Sequence, residues 1–400
     1  MKISPTEKKS LLRLHALPGV GAIRARKILQ EFGTATDFFQ SSKDYASSFL
    51  PSLEQRPLGR MNPKTGLGDP VDFWSPTYKD LAQREYEFIE NQKIQMYYYQ
   101  SDSYPFYLKQ AADAPILLFG KGQLDLEHKK IVAIVGTRKI SAYGTQFCKN
   151  LMEELAPLDP VIVSGFALGV DICAQRAAVE VGLQTIGCLA HGFKHVYPKA
   201  HRGDIKPVMQ KGGFFTEFFS GVPALQGHFV SRNRVIAGLS QATIVIESAK
   251  QGGSLHTAQL ANSYNRSVFA VPGRSTDRVS EGCNDLIKHL KAQMLTSARD
   301  LILSMNWGNH PNLSLHLGGP IGHEGLQGAV QQTSNAPRIE ATQSPEEKQL
   351  YEFLFTRGEM HVDAIARALS WKINQLLPSL MTMELKGMVR ALPGKKYEAI

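Results

Sequence analysis

From residue 131 to about 304, short apolar runs alternate with amphipathic stretches. The runs at 131–135, 161–163, 185–189, 213–217, 243–247 and 267–271 are nearly unbroken and rich in β-branched residues. Such runs predict strands buried on both faces. Helical periodicity fills the intervals at 144–156, 170–181, 202–211, 230–239, 254–264 and 282–291. This alternation predicts an α/β fold: a Rossmann-like, doubly wound, mainly parallel sheet with helices on both faces. In such a sheet the ligand lies outside the carboxyl ends of the strands. Those ends read Gly136-Thr137-Arg138, Ser164-Gly165-Phe166-Ala167, His191-Gly192-Phe193-Lys194, Glu217-Phe218, 248–254 and Pro272-Gly273-Arg274. Glycines, hydroxyls and cations dominate, which suits a phosphate-lined groove.

The flanks have other patterns. Residues 7–50 are helical, with the tight turn Pro18-Gly-Val-Gly21 between two apolar-periodic segments and Arg24, Arg26 and Lys27 just beyond it. This resembles a helix-hairpin-helix, which grips DNA phosphates without reading sequence; a plain helical hairpin used for packing fits equally well. Residues 51–78 carry five prolines and several glycines and read as an irregular insertion. A helix is expected at 79–91, with strands at 94–99 and 115–120. Residues 306–344, rich in Gly, Asn, His, Gln and Ser, have no period and read as a flexible linker. From 345 to 400, three helices precede a hairpin turning at Pro393-Gly394, a winged-helix pattern in which Ser344 and Glu347 form a capping box. The expected domains are therefore 1–80, helical with the insertion; 81–305, Rossmann-like; 306–344, linker; and 345–400, winged-helix-like.

Composition narrows the partners. The net charge of +9 points to an acidic one, nucleic acid first. The four cysteines, Cys148, Cys173, Cys188 and Cys283, lie far apart with no C-x-x-C pair, as expected of thiols in a reducing compartment rather than disulfides or a metal site. No run is long and apolar enough to span a bilayer, and the start of the chain lacks the apolar core of a signal peptide. The expectation is a soluble, cytoplasmic protein.

Gly136, Thr137, Arg138 and Lys139 close the first buried strand and form an anion site ahead of a helix. A dinucleotide is disfavoured because G-x-G-x-x-G is absent there, and no P-loop motif occurs. Ser164 follows a strand but not in a G-x-S-x-G elbow, and Asp171 in a first helical turn needs no catalytic explanation. His191 and His195 lack the helical setting and partners of a metal pair. No catalytic residue, metal or cofactor is assigned. The densest signal is Gly227-His-Phe-Val-Ser-Arg-Asn-Arg234: His228 and Phe229 offer stacking faces, and Arg232, Asn233 and Arg234 supply charge. A stacking platform beside a cationic rail suits sequence-tolerant binding of single strands. At least one of the two arginines is expected to pair with Glu217 or Glu247 instead.

Six motifs in order resemble the DNA-processing protein A family (DprA/Smf): Gly136-Thr-Arg-Lys-Ile-Ser-Ala-Tyr-Gly144, Ser164-Gly-Phe-Ala-Leu-Gly-Val-Asp171, Val196-Tyr-Pro-Lys199, His228 to Ser240, Gly252-Gly-Ser-Leu-His-Thr-Ala258 and Ala270-Val-Pro-Gly273. They depart from the family pattern at Val230, where a proline is usual, at Gly252, where a serine is usual, and at His201, where an asparagine is common. The resemblance implies a non-enzymatic protein that binds and protects single-stranded DNA during natural transformation and helps load the RecA recombinase. It also implies a homodimer through the Rossmann-like domain. Carried over by motif, Gly136, Thr137, Arg138 and Lys139 form the phosphate turn, with Ser164 and Gly165 beside it. Lys199 lies along the DNA path, Phe229, Arg232, Asn233 and Arg234 line the groove, and Gly253, Ser254 and Leu255 present backbone N–H groups. Two readings compete. One is a hydrolase of nucleotides or nucleoside phosphates with Glu217 as acid/base. The other is a scaffold whose terminal domains recruit partners.

Overall fold

The computed structural model describes residues 3–50, 73–127, 129–308 and 345–399, apart from 370, 372, 387 and 393–395. Most of the 51–78 insertion, most of the 306–344 linker, the Ser344 cap and the turn at Pro393-Gly394 thus lie outside the described residues. The chain divides into two compact units, within residues 1–319 and 320–400.

The first unit opens with α1 (Pro5–Ala16), α2 (Ala22–Phe32), α3 (Ala35–Gln40), α4 (Lys43–Ser47) and α5 (Pro76–Asn91). Then come β1 (Gln95–Tyr98), α6 (Phe106–Lys109) and β2 (Leu117–Gly122). The alternating part follows: β3 (Ile131–Val135), α7 (Ala142–Leu155), β4 (Val161–Ser164), α8 (Val170–Glu180), β5 (Thr185–Cys188), α9 (Ile205–Lys211), β6 (Gly213–Thr216), α10 (Gln226–Leu239), β7 (Ala242–Val245), α11 (Gly253–Ser263), β8 (Ser267–Ala270), α12 (Glu281–Lys288), β9 (Gln293–Met294) and α13 (Ala298–Ser304).

The strands form one nine-stranded sheet in the order β1-β2-β6-β5-β4-β3-β7-β8-β9. The seven from β6 to β9 are parallel, while β1 and β2 are antiparallel additions at one edge. Residues of β3 alternate between two cores. Ile131, Ala133 and Val135 join the side chains of α10 and α11, and Val132 and Ile134 join those of α7 and α8. Both faces are covered, which is why the strand reads as continuous apolar sequence. Truncating Ile134, fully buried, would cost about 2–5 kcal/mol.

From β3 the chain winds one way through β4, β5 and β6, then crosses back to place β7 on β3's other side. Val132 pairs with Ile162 on one flank and with Ala242 on the other. The carboxyl ends of β3 and β7 thus diverge at a topological switch point, where such sheets open a crevice.

The N-terminal helices pack onto this unit rather than standing apart. Leu11, Leu14, Ile28 and Phe38 share one core with Phe119, Phe218 and Phe219 of the sheet side. His15 Nε2 is 2.9 Å from the Glu217 carbonyl oxygen. The second unit has its own core. It comprises α14 (Pro345–Arg357), β10 (Met360–His361), α15 (Val362–Leu369), α16 (Ile373–Leu385), β11 (Val389–Leu392) and β12 (Lys396–Ala399), three helices and a small antiparallel sheet in winged-helix order. No described helix is long and apolar enough to cross a membrane.

Candidate nucleic-acid interface

A groove of about 620 Å³ opens at the switch point. The loop after β3 forms one wall, the start of α10 another and the start of α11 a third.

The β3 loop is pinned from both sides. The Thr137 N–H donates to the Glu247 carbonyl at 2.7 Å, and the Thr137 carbonyl accepts from Val170 N–H at 3.0 Å. Gly169 makes this approach possible: it sits at φ +82, and a Cβ there would lie 2.1 Å from the Thr137 oxygen. Ser141 caps α7 by accepting from Gly144 N–H at 3.1 Å. Its own N–H and hydroxyl donate to the buried Glu247 carboxylate. A loop held this firmly leaves Arg138 and Lys139 exposed at its tip. The Thr137 amide is engaged with Glu247, so it is not free to hold a phosphate as the motif suggested.

Arg138 reaches across the groove. Its guanidinium carbon lies 5.4 Å from the centroid of Phe229 on α10, in cation–π contact. Tyr197 meets the same ring edge-on at 5.3 Å. Phe229, Asn233, Gly253 and Ser254 all line the cavity, so the structure brings together segments nearly 120 residues apart in sequence.

Arg232 is the buried floor of the groove, 5% exposed. Its Nη1 donates to the Gly165 carbonyl at 2.5 Å and to the Cys188 carbonyl, bridging the ends of β4 and β5. Asp171 faces it and accepts from Gly165 N–H at 3.1 Å. Burial pushes the arginine's pKa down and the aspartate's up; each charge opposes the other's shift. This pair holds strand ends together and has no exposed acid to offer a substrate.

Five sequence-derived assignments change here. Ser164 is fully buried, its hydroxyl donating to the Ile134 carbonyl at 2.6 Å, so it lies beneath the groove. Gly165 is buried between Asp171 and Arg232. Arg234 sits on the opposite face of α10, ion-paired to buried Glu217 and bonded to the Asp113 carbonyl. It borders a separate cavity of about 520 Å³ with Gly19, Gly21, Arg24 and Lys27. Leu255 packs against the core, and its N–H turns back to the Gly252 carbonyl at 3.1 Å. His228 is 3% exposed and stacked on Phe218 with centroids 4.5 Å apart, so it offers no free stacking face. The expected pairing of one arginine with Glu217 is thus met by Arg234.

Lys199 is exposed two residues after Tyr197 but is not among the lining residues. Three that are, Tyr197, Gln226 and His256, were not singled out from sequence. His256 stands three residues after Gly253, a spacing that puts both on one side of α11's first turn. The N-cap of α11, Gly252, supplies no side-chain cap and the first turn holds no acid, leaving the helix's amino end open to an anion. Among the described residues no group of His, Cys, Asp and Glu side chains could hold a metal ion. His201 is buried with Nδ1 3.1 Å from the Phe166 carbonyl, which makes it a packing residue.

Residues 95–306 match the family described as DNA recombination-mediator protein A, and residues 334–395 match the DprA winged helix domain. The DNA processing protein DprA of Streptococcus pneumoniae is 36% identical over 246 residues, 61% of this chain and 86% of that protein. Protein Smf of Escherichia coli is 31% identical over 297 residues, 74% of each chain. The X-ray structure of DNA processing protein A from Streptococcus pneumoniae superposes with a TM-score of 0.62 at 30% identity, covering 76% of this chain and 98% of that one.

Proposed function

This chain belongs to the DNA recombination-mediator protein A family, and from that premise we propose that its groove holds the backbone of single-stranded DNA without reading sequence. The observation that carries the reading is the meeting of Arg138, Phe229, Asn233 and the open end of α11 in one crevice. Cations and an uncapped helix end suit phosphates, and an aromatic ring suits a base of any identity. The hydrolase alternative is disfavoured. Its acid/base candidate, Glu217, is buried in an ion pair with Arg234 on the far side of α10. The one acidic residue of the lining, Asp171, is buried against Arg232.

Within this proposal the protein protects incoming strands and promotes RecA loading during transformation. The family's description as a recombination mediator supports that role. It acts in the cytoplasm and catalyses no reaction of its own. A homodimer fits the sheet's short edge, where Met294 of β9 is exposed together with Leu290 and Leu303. The cavity beside Gly19, Arg24 and Lys27 gives the helix-hairpin-helix-like turn a place for a second phosphate contact.

Equilibrium binding to oligo-dT and to matched duplex, each across a salt series, tests the reading. The single strand should bind more tightly at every salt, and its affinity should fall steeply as salt rises. A preference for duplex, or binding indifferent to salt, would overturn it. RecA loading is read separately, as faster RecA-dependent ATP hydrolysis on a strand already coated with single-strand-binding protein.

A further inference from the structure

A third cavity, of about 150 Å³, shares Tyr197 with the groove. It lies in a small core of its own against α9, walled by Phe166, Leu189, Phe193, Ile205, Met209 and Phe214. Protein interiors seldom leave a space larger than a water unfilled. An apolar cavity of this size holds a single aromatic ring. Phe166 shapes the space. It sits at φ +55, a left-handed conformation rare for a bulky side chain, and strain of this kind collects at ligand sites. Its ring stands nearly perpendicular to Phe214, with centroids 5.0 Å apart, and to His201 at 5.3 Å.

One buried polar atom of the wall is uncommitted. His191 is 2% exposed. Its Nδ1 lies 3.0 Å from the Gly192 carbonyl, which can only accept, so Nδ1 carries the proton. Burial holds the ring's pKa below the ordinary 6.5, which keeps it neutral and leaves Nε2 a lone pair to offer. The Tyr197 backbone lies near the ring, yet Nε2 is buried without a hydrogen-bond partner among the described residues. Lys121 and His195, also in the wall, are engaged. Lys121 Nζ donates to Gln92 at 3.2 Å, and His195 Nε2 meets the Gly221 carbonyl at 2.9 Å. A molecule that fits is therefore an apolar ring with one donor. A nucleobase is disfavoured, because its several polar edge atoms would be left unpaired against these walls. A water would find one side-chain partner where buried waters hold about three.

We propose that this cavity is a binding site for a small phenol, which donates its O–H to His191 Nε2 and steadies Tyr197 at the edge of the groove. Tyr197 meets Phe229 edge-on at 5.3 Å, and Phe229 carries the Arg138 guanidinium. A ring held against Tyr197 orders this platform before a strand arrives, so a phenol should tighten DNA binding. That last step rests on the DNA reading; the phenol site itself does not.

The test titrates the full chain, without DNA, with phenol and with toluene, its isostere lacking the donor, by calorimetry. Phenol should bind at least about fivefold more tightly, and the nitrogen resonance of His191 Nε2 should shift as it binds. His191→Leu should reverse the preference. Met209→Trp, which fills the space, should bind neither compound. Circular dichroism on both variants establishes that each is folded. Toluene bound as tightly as phenol by the wild type overturns the site, as does phenol binding unchanged in His191→Leu or no binding of either compound. A second arm measures oligo-dT affinity at saturating phenol. It should rise about fivefold in the wild type and stay constant in Met209→Trp, and by linkage oligo-dT should tighten phenol by the same factor. Oligo-dT binding that is unchanged or weakened with phenol seated overturns the link through Tyr197. Failure to bind oligo-dT at all overturns the DNA reading and leaves the phenol site standing on the first arm.

Discussion

The groove has two layers of charge, and they do different work. The floor is made of buried charges with assigned partners, Arg232 with Asp171 and Glu247 with the capping end of α7, and Arg234 with Glu217 forms a second buried pair on the far side of α10. The rim is made of exposed cations, Arg138 and Lys139 at the β3 loop and Lys199 beyond Tyr197. Buried charges without partners are costly, so floor substitutions should act first on stability. Exposed cations contribute little to stability, so rim substitutions should act on binding alone. A single motif, Arg232-Asn233-Arg234, therefore contributes one arginine to the floor, one to the buried pair on the far side of α10, and its asparagine to the groove.

The largest effect that tests this division is expected from Glu217→Ala. It removes the closer carboxylate of buried Arg234, leaving only Asp113 beside it, and should cost about 3 kcal/mol in urea unfolding. A loss below about 1 kcal/mol would place Glu217 outside the structural layer. Arg232→Met should come next, at about 2–3 kcal/mol, because it leaves the Gly165 and Cys188 carbonyls and the Asp171 carboxylate without their cation. Arg138→Ala should leave the melting temperature unchanged while reducing the log–log salt slope of oligo-dT binding by ~0.7. If that variant bound as wild type at every salt, the rim would not be the phosphate rail. Lys199→Ala, outside the lining, should move the slope by less than Arg138→Ala.

The smallest effect concerns His191, which lies near Arg232. Its pKa is held below the ordinary 6.5, chiefly by burial, so the folded protein prefers the neutral ring. The unfolded chain takes up the proton first as pH falls. The stability from this site is therefore present above pH 6.5 and is lost as pH drops toward the folded-state pKa. His191→Gln should flatten the melting-temperature profile between about pH 7 and pH 5. An unchanged profile would remove the histidine from the floor's charge balance.

Much of this was legible in the sequence. The six strands from 131 to 271 announced themselves because covering helices make both faces apolar. The two-residue strand β9 did not, since Gln293 and Met294 are both exposed and carry no periodic signal. Gly136 and Arg138 came from reading strand ends, and Phe229 from the stretch of aromatic and cationic residues at 227–234. What sequence could not supply was direction within the site. Ser164 and Gly165 end a strand like the other candidates, yet the floor arginine and its aspartate close over them. His228 carries an aromatic ring next to Phe229, but Phe218, ten residues earlier and in another segment, takes its face. Arg234 is distinguished from Arg232 only by Glu217 and Asp113, which the fold brings to one side of α10.

The switch point also sets when the site can exist. β3 is flanked by β4, which follows it directly, and by β7, which arrives only after three further strands have been laid down. Pairing at such separation requires closing a long loop, so it belongs late in folding. A nascent chain ending at residue 240 would carry β3, its whole left-hand neighbourhood and the α10 wall, but neither β7 nor the α11 wall of the groove. Glu247, which fastens the loop after β3, would also be missing. Competence to hold a strand is thereby tied to completion of the sheet, and partly synthesised chains should be silent toward DNA at this site.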